Sequence, residues 1–173
     1  MYLDKPIPRL IIVMGVSSCG KSSIASSLAN QQDAVFLDAD DYHPAANIEK
    51  MSRSEALNDD DRWPWLKHFA QTLAAQKGAT IGACSALKKS YREALTRAAG
   101  EPILFIHLHG STELLEQRIT SRNNHFMPAS LLQSQLATLE MPEADELVMT
   151  IDISGSKEHV IQRINTQLRT QYD

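Results

Sequence analysis

Cysteine is scarce in this chain: two residues of 173, Cys19 and Cys84, with no C-x-x-C pair. That scarcity excludes a disulfide framework and a cysteine-based zinc site, and it suits a reducing compartment. An excess of positive charge is also missing, since 17 Lys and Arg face 21 Asp and Glu for a net charge of −4, and the basic residues are scattered. No stripe for nucleic acid and no polybasic membrane patch results, so an anionic ligand has to be held by local geometry. No apolar run approaches a membrane span, and positions 1–9, with Pro6 and Pro8, lack an apolar core of signal-peptide length. The expectation is a soluble cytoplasmic protein without membrane or nucleic-acid partners. Repeats, low-complexity stretches and linkers are absent, and the length suits one domain, 1–173, with a full core.

What is present begins at Gly15-Val16-Ser17-Ser18-Cys19-Gly20-Lys21-Ser22, which fits G-x-x-x-x-G-K-[ST], the phosphate-binding loop. Upstream lies the apolar run Leu10-Ile11-Ile12-Val13-Met14, expected of a strand buried on both faces, and downstream Ile24, Ala25 and Leu28 recur at helical spacing. Glycines let successive N–H groups turn toward phosphate oxygens, and the following helix presents its positive end to the same anion. All eight loop residues are therefore expected to bind a nucleoside triphosphate, with Lys21 reaching the β- and γ-phosphates and the Ser22 hydroxyl joining an Mg²⁺ shell. Cys19 has two readings: a thiol activated near a helix N-terminus and shielded by nucleotide, or a small loop residue without redox importance.

Apolar runs at 10–14, 34–37, 80–84, 103–108 and 147–153 read as strands, with amphipathic stretches between them. Right-handed βαβ crossovers then give an α/β fold, a doubly wound parallel sheet with helices on both faces. Helices are expected over 65–77, capped by Asn58-Asp59-Asp60-Asp61 and stopped at Gly78, and over 111–121 and 157–169. The region 122–146 breaks the rhythm: a polar turn Asn123-Asn124-His125, a helical run from Pro128 through Leu131, Leu132, Gln135 and Leu139, then Met141-Pro142. Its place suits a small mobile lid entered through Arg118 and Arg122, the alternative being a helical hairpin packed on the sheet edge.

Asp38 and Asp40 follow the second strand, at the end where open α/β sheets bind ligands. A hydroxyl acceptor needs a carboxylate to orient it and take its proton, which we assign to Asp40. Mg²⁺ needs oxygen partners, for which Asp38 is the outer-shell choice, while Asp41 is expected as a helix cap. Asp59 and Asp60 read as solvated capping acids. Arg62 offers a guanidinium fork for a carboxylate, with Lys88 and His43 as further cations, and Trp63 and Trp65 either line a pocket or pack in the core. His43 and His125 are functional candidates, whereas His68, His107, His109 and His159 form no metal cluster.

Assembled, the chain resembles the gluconate kinase (gluconokinase) family of small P-loop sugar-acid kinases. Beyond the loop, the resemblance rests on Leu37-Asp38-Ala39-Asp40, His43-Pro44, Asn47-Ile48-Glu49-Lys50-Met51, Leu57-Asn58-Asp59-Asp60-Asp61-Arg62, Pro64-Trp65-Leu66, Cys84-Ser85-Ala86-Leu87-Lys88-Lys89, Tyr91-Arg92, His125-Phe126 and Ala144-Asp145-Glu146. It implies ATP-dependent phosphorylation of D-gluconate to 6-phospho-D-gluconate, a nucleoside-monophosphate-kinase-like fold with a five-stranded parallel sheet and lid, and a homodimer. By the same resemblance Arg118 lies near the adenine and Arg122 swings in to the transferring phosphates. The alternatives are a kinase for another small polyol acid such as shikimate, or a non-catalytic nucleotide-binding module; the latter does not need Asp40, Arg62 and Arg122 together. The chain departs from the family pattern at Ser18, Ser54 and Asn124, usually glycine, at Cys19, usually a small residue such as serine, and at Ala56, usually proline.

Overall fold

Alternate residues of one strand serve two different cores. In the computed structural model, which describes residues 6–121 and 129–172, strand β1 (Leu10–Met14) is buried at every position. Ile11 and Val13 pack with Ile24, Leu28, Ile164 and Leu168 on one face, while Leu10, Ile12 and Met14 pack with Trp65, Leu66, Phe69 and Leu95 on the other. A strand covered on both sides has no polar face to show, which is why its sequence runs apolar without alternation. It stands at the centre of a five-stranded parallel sheet with β2 (Val35–Asp38), β3 (Thr80–Ala83), β4 (Ile103–His109) and β5 (Val148–Asp152), in the order β2-β3-β1-β4-β5.

Seven α-helices accompany it among the described residues: α1 (Lys21–Gln31), α2 (Ala45–Ser52), α3 (Asp59–Ala75), α4 (Lys89–Ala99), α5 (Thr112–Ser121), α6 (Ala129–Thr138) and α7 (Lys157–Tyr172). α3 and α4 cover one face and α1 and α7 the other. The strands match the apolar runs to within a residue at either end. Helix α3 differs more, starting six residues before the expected Trp65. Asn58 accepts the Asp61 N–H while the Asp61 carboxylate accepts the Asn58 N–H, a reciprocal cap that starts the helix there and carries it through Pro64. Pro64 removes one N–H donor, tolerated because it sits on the exposed side. The helix stops at Ala75, short of Gly78. Asp41, expected as a cap, caps nothing: Asp38 holds that position, accepting the Asp40 N–H at the head of the 3₁₀ turn Ala39–Tyr42.

Within the span expected as a lid, α6 buries Leu132 completely and sets Leu136 against the α1-side core, and Leu139, just past its end, touches both cores. Its end is tied down where the Glu140 N–H donates to the Leu87 carbonyl and the Glu140 carboxylate accepts the Lys89 N–H. Arg122, Asn124 and His125 lie outside the described residues.

Arg92 carries most of the cross-linking behind the site. Its buried guanidinium donates to Glu146 at 2.6 Å and to the carbonyls of Ala86, Leu87 and Glu140, joining the segment 86–92 to the segment 140–146, about 50 residues away. Burial is the largest single influence on Glu146 and would raise its pKa, but the hydrogen bonds from Arg92 and the Glu143 N–H, with the charges of Arg92 and Lys89, together hold the carboxyl below its ordinary value. Removing one member of a buried pair leaves an uncompensated charge, so Arg92→Ala is expected to cost about 3–5 kcal/mol of unfolding free energy in urea titrations.

Candidate active site

The phosphate loop leaves the sheet at a point with no room for a side chain. Gly15 has φ 146°, and a Cβ there would lie 2.8 Å from both Cys19 Sγ and the Leu108 carbonyl. Its N–H donates to the Ser85 carbonyl, so the loop is pinned between the ends of β3 and β4. Gly20 (φ 94°) then turns the chain into α1. Ser18, at a position where the resemblance expects glycine, takes φ 67°. Cys19 is buried in the α1-side core and desolvation pushes its thiol above the ordinary value, which favours the packing reading over an activated thiolate.

Within the loop Lys21 Nζ donates back to the Val16 carbonyl at 3.1 Å. The Ser22 hydroxyl donates to Asp38 Oδ2 at 2.6 Å, and the Asp40 N–H donates to Asp38 Oδ1 at 3.0 Å. One carboxylate thus ties the phosphate loop to the turn that carries the candidate base. Among the described residues no group of three or more His, Cys, Asp or Glu could cage a metal. Ser22 and Asp38 nonetheless supply only oxygens, the donor set of a cation such as Mg²⁺ that keeps water and phosphate in its shell.

Asp40 is open to solvent, yet its carboxyl is crowded enough that desolvation, then repulsion from Asp38, raises its pKa; His43 and Lys21 pull the other way. His43 stacks on Trp65 with centroids 4.1 Å apart, and Asn47 Nδ2 lies 3.4 Å from its Nδ1. Burial lowers the His43 pKa, and Arg62 adds to that against the pull of Asp40. These influences disfavour the charged form of His43 and favour a hydrogen-bonding imidazole. Trp65 packs in the core, donating from Nε1 to the Ala39 carbonyl, and its ring stacks on His43. Trp63 is at the rim, edge-on to Tyr91.

On the acceptor side Asp59 corrects the sequence reading. It is no free capping acid: its carboxylate accepts from the Tyr91 hydroxyl and pairs with Arg62 and Lys88, each at 3.5 Å. The tyrosine hydrogen bond is the largest of the influences that lower its pKa. Both cations also lie over the Tyr91 ring, 5.6 Å and 5.5 Å from its centroid. Arg62 and Lys88 thus share Asp59 and Tyr91; the Asp59–Arg62 pair is a local i,i+3 contact, whereas Lys88 and Tyr91 reach Asp59 from about 30 positions away, which no local pattern marks. Asp60 remains exposed.

Arg118 stands on the other flank of the loop. It donates to the Ile153 and Gly155 carbonyls and, with Cys19, Gly20, Ser23, Ile24, Lys157 and Val160, lines a cavity of about 180 Å³ beside the α1 N-terminus. A wider groove of about 610 Å³ lies by α4 and the starts of β4 and β5. It holds none of these residues, so the chemistry and not the volume locates the site. Among the described residues, no helix is long and apolar enough to cross a membrane.

Residues 10–142 match the family described as AAA domain. The chain is 50% identical over 153 residues to the gluconokinase of Gluconobacter oxydans (strain 621H), covering 87% of this chain and 84% of that one. It is 42% identical over 157 residues to the thermoresistant gluconokinase of Escherichia coli (strain K12), covering 88% and 89%. The crystal structure of a gluconokinase from Sinorhizobium meliloti 1021 superposes with a TM-score of 0.86 at 40% identity, over 96% of this chain and 94% of that one.

A raised carboxylate pKa has opposite signs for stability and for catalysis. Folding disfavours the ionised Asp40, so this group withdraws stability above its unfolded pKa, whereas a base works only when ionised. Asp40→Asn is therefore expected to keep or raise the melting temperature at pH 7 while abolishing turnover. In the unaltered protein, kcat/KM should fall as pH drops through a value above that of an ordinary aspartate.

Proposed function

This chain belongs to the gluconokinase family, and we propose that it transfers the γ-phosphoryl group of ATP to D-gluconate, giving 6-phospho-D-gluconate and ADP. The observation that carries the reading is the placement of a phosphate loop, a desolvated carboxylate and a pair of tethered cations around one end of the sheet. The C6 hydroxyl oxygen attacks the γ-phosphorus, the bond to the bridging oxygen of ADP breaks, and Asp40 accepts the hydroxyl proton. Lys21 neutralises charge developing on the β- and γ-phosphates in a site whose dipoles are already oriented. Ser22, with Asp38 behind it, would hold Mg²⁺, which when bound supplies further neutralisation of phosphate charge.

Arg118 borders the adenine side, and Arg122 and His125 are assigned by resemblance to the phosphates and the acceptor, within a lid over 122–146 that excludes water and suppresses ATP hydrolysis. Residues 1–173 are read as a single kinase domain from their length and as cytoplasmic from the scarcity of cysteine, and as working as a homodimer because the resemblance implies it. A shikimate-type acceptor is not favoured, given the near full-length identity to gluconokinases.

Selection of an acid over a neutral polyol falls to Arg62 and Lys88, with the His43 imidazole binding a hydroxyl. A charge-assisted fork on a carboxylate contributes about 1.5–3 kcal/mol, roughly ten- to hundredfold in specificity. Arg62→Ala is expected to lower kcat/KM for gluconate by that factor and Arg62→Lys by less, both at unchanged melting temperature. Gluconate kinetics unaltered in the alanine variant would return Arg62 to a surface pair with Asp59.

A further inference from the structure

One phosphate-loop amide is already occupied, and by a side chain from 118 residues away. The Ser17 N–H donates to Gln135 Oε1 of α6 at 2.6 Å. The same peptide unit presents its carbonyl, that of Val16, to Lys21 Nζ. Lys21 is the residue that reaches the β- and γ-phosphates, so this peptide lies at the γ end of the cradle; the amides next to the α1 N-terminus serve the phosphates nearer the nucleoside. A carboxamide oxygen has the acceptor character of a phosphate oxygen without its charge. Water would satisfy an amide at a solvent-facing loop equally well, so the contact registers α6 against the loop. Gln135 is held there by buried Leu132, one turn earlier, and by Glu140, five residues on, which is fixed to Leu87 and Lys89.

We propose that Gln135 and the γ-phosphate of ATP compete for the Ser17 N–H, so that α6 distinguishes ATP from ADP. ATP displaces the carboxamide, ADP leaves it in place, and once the phosphoryl group has been transferred Gln135 retakes the amide. Because α6 ends on the segment that carries Lys88, displacement at the nucleotide is felt beside the acceptor cations. The inference rests on the kinase reading above.

The test is calorimetric binding of ADP and of the non-hydrolysable β,γ-imido analogue of ATP, each with Mg²⁺, to the unaltered protein, Gln135→Ala and Gln135→Glu. Removing the competitor should tighten the analogue by about three- to tenfold in the alanine variant, the range of a single hydrogen bond, with ADP changed by less than about twofold. Glutamate places a charge-assisted acceptor on the amide and repels the γ-phosphate, so the analogue should weaken by about tenfold or more and ADP by much less. Equal changes for the two nucleotides, no change in either variant, or a weaker analogue in Gln135→Ala would overturn the competition. If the unaltered protein binds neither nucleotide, the kinase reading falls and this inference with it.

Discussion

Everything at the site depends on the absence of a side chain at Gly15. The loop must leave the central strand between the ends of β3 and β4, and backbone atoms of Ser85 and Leu108 stand within contact of it on either side. A Cβ at 2.8 Å from a carbonyl oxygen and a sulfur has no flexible neighbour to push aside, since both belong to the packed interior. Once the loop is seated there, its position relative to β2 follows, and with it the Ser22 to Asp38 hydrogen bond that sets the candidate base beside the phosphate cradle.

The charges around that cradle are arranged in two ways. On the acceptor side they compensate: Asp59 accepts from Tyr91 and pairs with both cations, which keeps Arg62 and Lys88 preorganised while leaving them partly open. On the transfer side they conflict, because Asp38 and Asp40 repel and Asp40 is desolvated. A carboxylate in such surroundings is a poorer contributor to stability and a better proton acceptor, a trade typical of functional sites. Arg92 and Glu146, by contrast, pair at 2.6 Å in a nearly buried setting away from Asp38 and Asp40.

Residues whose environment is set by their chain neighbours were readable in the sequence. The phosphate loop, the five strands and the Asp38 and Asp40 pair are local patterns, and the structure places them close to expectation. Ser18 and Ser54, noted as standing where glycine is usual, both adopt left-handed φ, 67° and 60°. Ala86, at φ 45°, gave no such warning. What stayed hidden were groups defined by distant partners: Asp59 reads as a cap until Tyr91 and Lys88 are folded onto it, and Gln135 is an ordinary helical residue until α6 meets the loop. The cap at Asn58 was legible, but the helix follows it at once instead of beginning at Trp65, because the reciprocal cap outweighs the single donor lost at Pro64.

The most direct measurement of the central claim is ADP release by the unaltered protein, coupled to a spectrophotometric readout, across gluconate, idonate, glycerate and shikimate with the product identified by mass and NMR. Gluconate should be the acceptor with the highest kcat/KM, with phosphate on its C6 oxygen. Turnover of shikimate with none on gluconate, or ADP release indifferent to the acceptor, would contradict it.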